Sequence, residues 1–386
     1  MSKTNPIILF DANPLMVAKT GVGYYIAQMV EQLAAAHPEA TFVGYYYNFL
    51  GRKAAPTSPL AANIHYRPIY HFPGPLINLL RRFRVEVPIE LLTFMKADFV
   101  WYPNYMTQPS LFRTPCAATI HDLTFVDLPE YVARKNLDDL TRFVPRQLKR
   151  QAFITTVSEF SKRRMAEEFH VPLERILVTP IAPPTVSAAN QSAERQVLGD
   201  LGITGKFILT LGTVEPRKNV PNMLDAFLQL PTKLQSDYTF VIAGKIGWNC
   251  ETEVARLAEL KAQGQNIIHL GYVSDEQRST LYRHATLFTS ASFYEGFGMP
   301  ALEAMSFSTP CAISDIPVFR EVAGDAALYF DQDNPVSIAS AWQQILSSSP
   351  TQKRLAKAGK QRAASYDWLL IANQLYERIM STVTTS

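Results

Sequence analysis

Residues 206–230 read KFILTLGTVEPRKNVPNMLDAFLQL. The unbroken apolar run over 206–211 predicts a buried strand, and the apolar spacing over 220–230 predicts a helix with one buried face. Between them, GTVEPRKN at 212–219 breaks both periods with Gly212 and Pro216 and carries Arg217 and Lys218 side by side. Strand, short polar turn and helix open a βαβ unit, whose crossovers build parallel sheets covered by helices. The alternation continues downstream with strand-like runs at 238–243, 267–270, 285–289, 310–313 and 327–329. Upstream it runs through 6–10, 41–46, 99–101, 116–120, 153–157 and 176–178, with a loop over 11–23, a helix over 24–36 and another from Ser161.

The rhythm lapses at 184–199, PTVSAANQSAERQVLG, whose small and polar residues predict a connection between domains. A chain of 386 residues exceeds what one core usually supports. The expected architecture is α/β: two doubly wound, Rossmann-like domains facing a central cleft, at 1–183 and 206–365, joined by a linker at 184–205. Residues 366–386 close the chain as a helix, with Trp368, Leu369, Ala372, Leu375 and Ile379 at helical spacing.

Bulk composition excludes several classes of function. Hydrophobic residues at 47% and charged residues at 18% describe an ordinary globular chain, not a disordered one. A net charge of +3 without a long basic run gives no nucleic-acid footprint. Cys116, Cys250 and Cys311 are isolated and odd in number, which points to a reducing compartment and a cytoplasmic location rather than to a disulfide framework or a metal site. The start MSKTNPIILFDANPL lacks a secretory pattern, and no apolar stretch is long enough to cross a bilayer, so membrane contact is expected to be peripheral.

Doubly wound sheets bind ligands at the carboxyl ends of their strands. The informative residues follow strands: Gly21 and Gly23 in the loop after the first, His121 and Asp122 after a central one, then 212–219 and 290–300. In EGFGMPALE at 295–303, Pro300 suits the first turn of a helix, and Gly296 and Gly298 allow close backbone approach just before it. Amides at that helix start offer a place for a phosphate or sugar oxygen. Glu295 and Glu303 repel a diphosphate and are expected to accept from hydroxyls instead, Glu295 from a transferred sugar and Glu303 from a ribose diol. Arg217 and Lys218 supply the charge that a departing diphosphate needs. The bland alternatives are a Gly-rich turn with surface glutamates and a solvated basic turn.

In these residues the chain resembles the retaining GT-B glycosyltransferases of family 4, especially bacterial mannosyltransferases of surface-polysaccharide assembly. The likeness rests on GFGMPALE at 296–303, GTVEPRKN at 212–219 and TVSEFS at 156–161, and it covers nearly the whole chain. It implies sugar contacts for Glu295, sugar and phosphate contacts for the backbone of Gly296, Phe297, Gly298 and Met299, a ribose contact for Glu303, and diphosphate contacts for Arg217 and Lys218 beside Gly212. It also implies a His121 near the transferred sugar, an approach of Gly21 and Gly23 to diphosphate and acceptor, and a base lined by Tyr272 and Val273. Three departures stand out: only Gly21-Val22-Gly23 follows the first strand, Gly212 and Thr213 stand where some relatives place an arginine, and Pro180-Ile181-Ala182-Pro183 stands where relatives often have an Asn-Gly turn.

The implied reaction retains anomeric configuration, with GDP-mannose as donor and a UDP-sugar as the alternative. No metal or further cofactor is expected, because Arg217 and Lys218 can carry the charge. The implied acceptor is a glycan, free or linked to polyprenyl diphosphate, held by the first domain. Residues 70–95, with Arg81, Arg82 and Arg84 among aromatics and aliphatics, are a candidate contact with the inner membrane, and Tyr102, Asn104 and Tyr105 are candidate acceptor contacts. Competing readings are a non-transferring GT-B enzyme such as an epimerase or phosphorylase, and a two-lobed sugar-binding protein.

Overall fold

The computed structural model describes residues 5–17, 21–54, 61–186 and 190–385. The chain divides into two compact units, the first made of 1–123, 136–181 and 367–386, the second of 124–135 and 182–366.

In the first unit the strands are β1 (Ile7–Asp11), β2 (Thr41–Tyr47), β3 (Ile64–Ile69), β4 (Phe99–Tyr102), β5 (Cys116–Ile120), β6 (Phe153–Thr156) and β7 (Ile176–Val178). They form a parallel sheet in the order β3-β2-β1-β4-β5-β6-β7. Leu9, Val43, Val100 and Ala118 from four adjacent strands meet Ile77, Ile89 and Leu92 on one face. Burial of both faces explains why these strands read as continuous apolar runs. Strand β3, IHYRPI, escapes that pattern because it lies at the sheet edge, where exposed residues alternate with half-buried ones and Pro68 is tolerated. The helix Gly21–Ala36 buries Ile26, Met29, Val30 and Leu33. The last helix, Trp368–Thr385, packs against it, with Trp368 edge-on to Tyr24 at 6.4 Å between ring centroids.

The second unit contains β8 (Lys206–Leu211), β9 (Tyr238–Ala243), β10 (Ile267–Gly271), β11 (Leu287–Ser290), β12 (Cys311–Ser314) and β13 (Ala327–Phe330), all parallel, in the order β10-β9-β8-β11-β12-β13. Trp342 and Phe227 from covering helices pack with Phe240 in its core. Both sheets thus reverse their winding beside the first strand, the doubly wound order of a Rossmann-like domain.

Two expectations about local structure need correction. Gly21 and Gly23 are helical rather than part of a loop, because the buried stripe of that helix outweighs the low helix propensity of glycine at its first turn; Thr20, also placed in that loop, lies outside the described residues. The polar segment at 184–199 is not all connection: Gln191–Asp200 is a helix, capped by Asn190 accepting from the Ala193 amide. Its Glu194 pairs with Arg283 at 3.0 Å and with His284 at 2.9 Å, a tertiary contact that local composition does not announce. Residues 187–189 of that segment lie outside the description. Among the described residues no helix is long and apolar enough to cross a membrane.

Candidate donor site

The second sheet reverses winding between β8 and β11, and open α/β sheets take ligands beyond the strand ends at that point. Both sequence signals emerge there. After β8, Gly212 (φ 151°) donates to the Ala243 carbonyl at 2.9 Å. Gly244 (φ 150°), at the end of β9, comes so near that a Cβ on it would stand 1.8 Å from the Gly212 oxygen. That crossing explains Gly244, and the positive φ explains Gly212. A 3-10 turn, Pro216–Lys218, then passes through Asn219 (φ 55°) into the helix Val220–Gln229, and the Asn219 side-chain Nδ2 donates to the Gln332 carbonyl at 2.7 Å.

After β11, the chain runs without regular structure until the helix Met299–Ser306. The two loops are joined: the Phe293 amide donates to the Arg217 carbonyl at 3.0 Å, and the Arg217 guanidinium donates to the Tyr294 carbonyl. Glu295, 8% exposed, lies between both cations, 3.0 Å from Arg217 Nη1 and 2.5 Å from Lys218 Nζ, and accepts from Ser292 Oγ at 2.7 Å. Arg217 also pairs with the buried Glu215 at 2.5 Å. Burial by itself would raise the pKa of Glu295, but Arg217, Lys218 and the Ser292 hydroxyl overcome it and hold the carboxyl at about 2. A buried charge needs such partners, so acid and cations that the sequence assigned to opposite parts of a ligand are in direct contact.

Glu215 and Ser292 are members of this cluster that sequence reasoning did not single out. Both stand inside the segments quoted for it, and a signal was present in Glu215 as an acid next to an Arg-Lys pair.

Glu303 behaves in the opposite way. It is 1% exposed in the helix Met299–Ser306; Oε2 accepts from Tyr282 at 2.9 Å, Arg278 stands 3.8 Å from Oε1, and Oε1 has no hydrogen-bond partner among the described residues. Burial raises its pKa despite Arg278 and Tyr282. One oxygen is therefore left able to accept a hydroxyl hydrogen. Phe297 is buried and meets Tyr366 edge-on at 5.6 Å, so its side chain serves the core and only its backbone remains for a ligand. Tyr272, 63% exposed, and Val273 follow β10 at the same edge of the sheet.

Gly298 (φ 94°) caps this helix, and a Cβ there would stand 2.4 Å from the buried ring of Phe319. Gly298→Ala is expected to lower unfolding free energy by about 3 kcal/mol through backbone strain and overpacking. Urea denaturation of the purified variant checks this, and a change below about 0.5 kcal/mol, within the scatter of ordinary surface substitutions, contradicts it.

In the first unit His121 is buried, and Nε2 donates to the Pro103 carbonyl at 2.9 Å. Tyr25 meets its ring edge-on at 5.3 Å. Burial lowers its pKa against the opposing pull of Pro103 and Asp122, which keeps the imidazole neutral with Nδ1 as the acceptor nitrogen. Tyr102 is buried with its hydroxyl on the Gln108 carbonyl, so the expected stacking on acceptor sugars is not open to it. Tyr105 donates to Asp122 at 3.0 Å. The basic run at 81–84 also divides: Arg81 is buried, Arg82 is paired with Asp139 at 3.3 Å, and Arg84 is exposed. No group of three or more residues suited to hold a metal ion occurs among the described residues.

Two family models match the chain: Glycosyltransferase Family 4 over residues 19–182 and Glycosyl transferases group 1 over residues 199–362. The O-antigen chain mannosyltransferase B of Escherichia coli is 28% identical over 377 residues, covering 94% of this chain and 96% of its own. The serotype-specific mannosyltransferase WbdA of the same species is 27% identical over 262 residues, 67% of this chain but 32% of that longer protein. Among solved structures, the sucrose-phosphate synthase of Thermosynechococcus elongatus superposes with a TM-score of 0.75 at 17% identity, covering 99% of this chain and 100% of that one. Anabaena HepE in complex with UDP and glucose superposes with a TM-score of 0.71 at 15% identity, covering 98% and 100%. At such identities the superpositions establish the fold, which is GT-B. The chain is a glycosyltransferase of the GT-B fold, related to bacterial surface-polysaccharide mannosyltransferases.

Proposed function

We propose that the chain moves a sugar from a nucleoside-diphosphate sugar to a glycan acceptor, free or lipid-linked, with retention at the anomeric carbon, in the assembly of a bacterial surface polysaccharide. The observation that carries this reading is the buried Glu295 held ionised between Arg217 and Lys218 at the carboxyl ends of β8 and β11. In the proposed complex the diphosphate binds beside Arg217 and Lys218, which stay where Glu215 and Glu295 hold them, and Glu295 also accepts from a sugar hydroxyl. Cations already fixed in place stabilise charge on the leaving diphosphate without reorganising. The bond from the anomeric carbon to the diphosphate oxygen breaks as the acceptor oxygen attacks from the same side, and the acceptor proton passes to the leaving β-phosphate. Glu303 takes the ribose diol, and His121, neutral with Nδ1 as acceptor, orients a sugar hydroxyl.

Two donors are proposed, each on its own support. The names of the curated relatives support mannose, and GDP-mannose is the donor expected from the sequence. UDP and glucose bound to a neighbour of the same fold support the alternative, a UDP-sugar-dependent transferase. Incubation with GDP-mannose, UDP-glucose and other UDP-sugars, with and without lipid-linked or free oligosaccharide, is expected to release nucleoside diphosphate with one donor. Turnover of GDP-mannose alone removes the UDP reading, and turnover of none removes the transferase reading.

For the acceptor side, Phe83 at 73% and Phe94 at 67% exposure stand with exposed Leu79, Val85, Leu91 and Arg84 in the first unit. Exposed apolar groups together with an exposed arginine suit the surface of an anionic membrane, where a lipid-linked acceptor resides.

A further inference from the structure

We propose that Asp127, acting through Tyr294, is a positioning residue for Glu295 and Arg217, an assignment that rests on the donor-site reading above. The loop that presents Glu295 has no regular structure of its own, so its precision must come from tertiary contacts. One side of Phe293 and Tyr294 is held by the Arg217 loop, through the Phe293 amide and the Tyr294 carbonyl. The other side is held by the segment 124–135, which belongs to the same compact unit although it lies far upstream in sequence. There the Tyr294 hydroxyl donates to Asp127 Oδ2 at 2.9 Å. The Tyr131 ring stacks on Phe293 with centroids 5.5 Å apart and planes within 10°, and Trp248 Nε1 donates to the Tyr131 carbonyl at 3.1 Å.

Tyr294 is 7% exposed and directly precedes Glu295, while its carbonyl is a ligand of the Arg217 guanidinium. Its hydroxyl therefore anchors one end of a residue whose other end orients both charges. A hydrogen bond to a carboxylate is directional and stronger than one between neutral groups, so losing it lets Tyr294 rotate and carries Glu295 and Arg217 with it. Neither Asp127 nor Tyr294 need touch the substrate for this effect, since small displacements of reacting groups cost rate steeply.

The test compares Asp127→Ala, Asp127→Asn, Tyr294→Phe and the double variant Asp127→Ala/Tyr294→Phe with the unaltered full chain. Release of diphosphate from UDP-glucose and GDP-mannose is measured, together with affinity for UMP and GMP, which lack the second phosphate. Asp127→Ala and Tyr294→Phe are each expected to lower kcat/KM about tenfold, as expected for one lost charged hydrogen bond. The double variant should lose no more than either, because both delete one contact. Asp127→Asn, which keeps an acceptor oxygen, should restore most of the rate, and monophosphate affinity should stay unchanged throughout. Additive losses, unchanged rates, or a parallel loss of monophosphate binding would each overturn the proposal. If the unaltered chain turns over neither donor, the transferase reading fails first and this assignment falls with it.

Discussion

Glu295→Ala is expected to reduce kcat/KM with the working nucleotide sugar by about a hundred- to a thousandfold, the loss seen when a preorganised group at a reacting centre is removed. The same substitution breaks a buried ion cluster. Lys218 loses the acid 2.5 Å away, whereas Arg217 keeps Glu215, so the cost to folding is expected to be about 3 kcal/mol. The pH dependence separates this from general damage. Glu295 titrates at about 2 in the folded chain, below its ordinary 4.5. Its contribution is therefore complete above pH 4.5 and disappears as the pH falls through about 2. The gap in unfolding free energy between the two proteins should be constant near neutrality and narrow with acidification. Urea titrations at several pH values measure it, and a gap that is constant down to the lowest accessible pH would show that the carboxylate charge is not what stabilises the loop.

Neutralising both cations, as in Arg217→Ala/Lys218→Ala, is expected to have the larger effect on activity, more than about a thousandfold in kcat/KM, because the diphosphate then leaves with no fixed positive charge beside it. Affinity for nucleoside diphosphate should fall while affinity for the nucleoside monophosphate changes less. The stability profile should also reverse. With its cations gone, burial dominates Glu295 and its folded pKa moves above 4.5, so the ionised form destabilises the folded chain and stability should rise as pH falls through that raised pKa toward 4.5. Lys218→Ala alone is the cleaner probe of chemistry, since Arg217 also carries the bonds to Glu215 and to the Tyr294 carbonyl. Undiminished binding and turnover in the double variant would refute the donor-site assignment.

The sheet strands were legible because a parallel strand buried on both faces is an uninterrupted apolar run, as in FILTL at 207–211 and TFVIA at 239–243. Strand β3 and the helix Gln191–Asp200 were not, because one is an edge strand with a proline and the other draws its support from Arg283 and His284. At the candidate site, residue types and their order along the chain were readable, including the helix start around Pro300. The neutral ion cluster was not readable, nor was the opposite titration of Glu295 and Glu303, two acids in one short motif.

By itself, then, the amino-acid order determined the α/β class, the doubling of the unit and the identity of the charged residues at the strand ends, because hydrophobic period and turn chemistry are local properties. Tertiary structure decided which charges meet and how they ionise. Burial of Glu295 beside two cations, burial of Glu303 with one oxygen lacking a hydrogen bond among the described residues, and the grip of Asp127 on Tyr294 all depend on distances between segments far apart in sequence, and electrostatic energy follows those distances and the local desolvation.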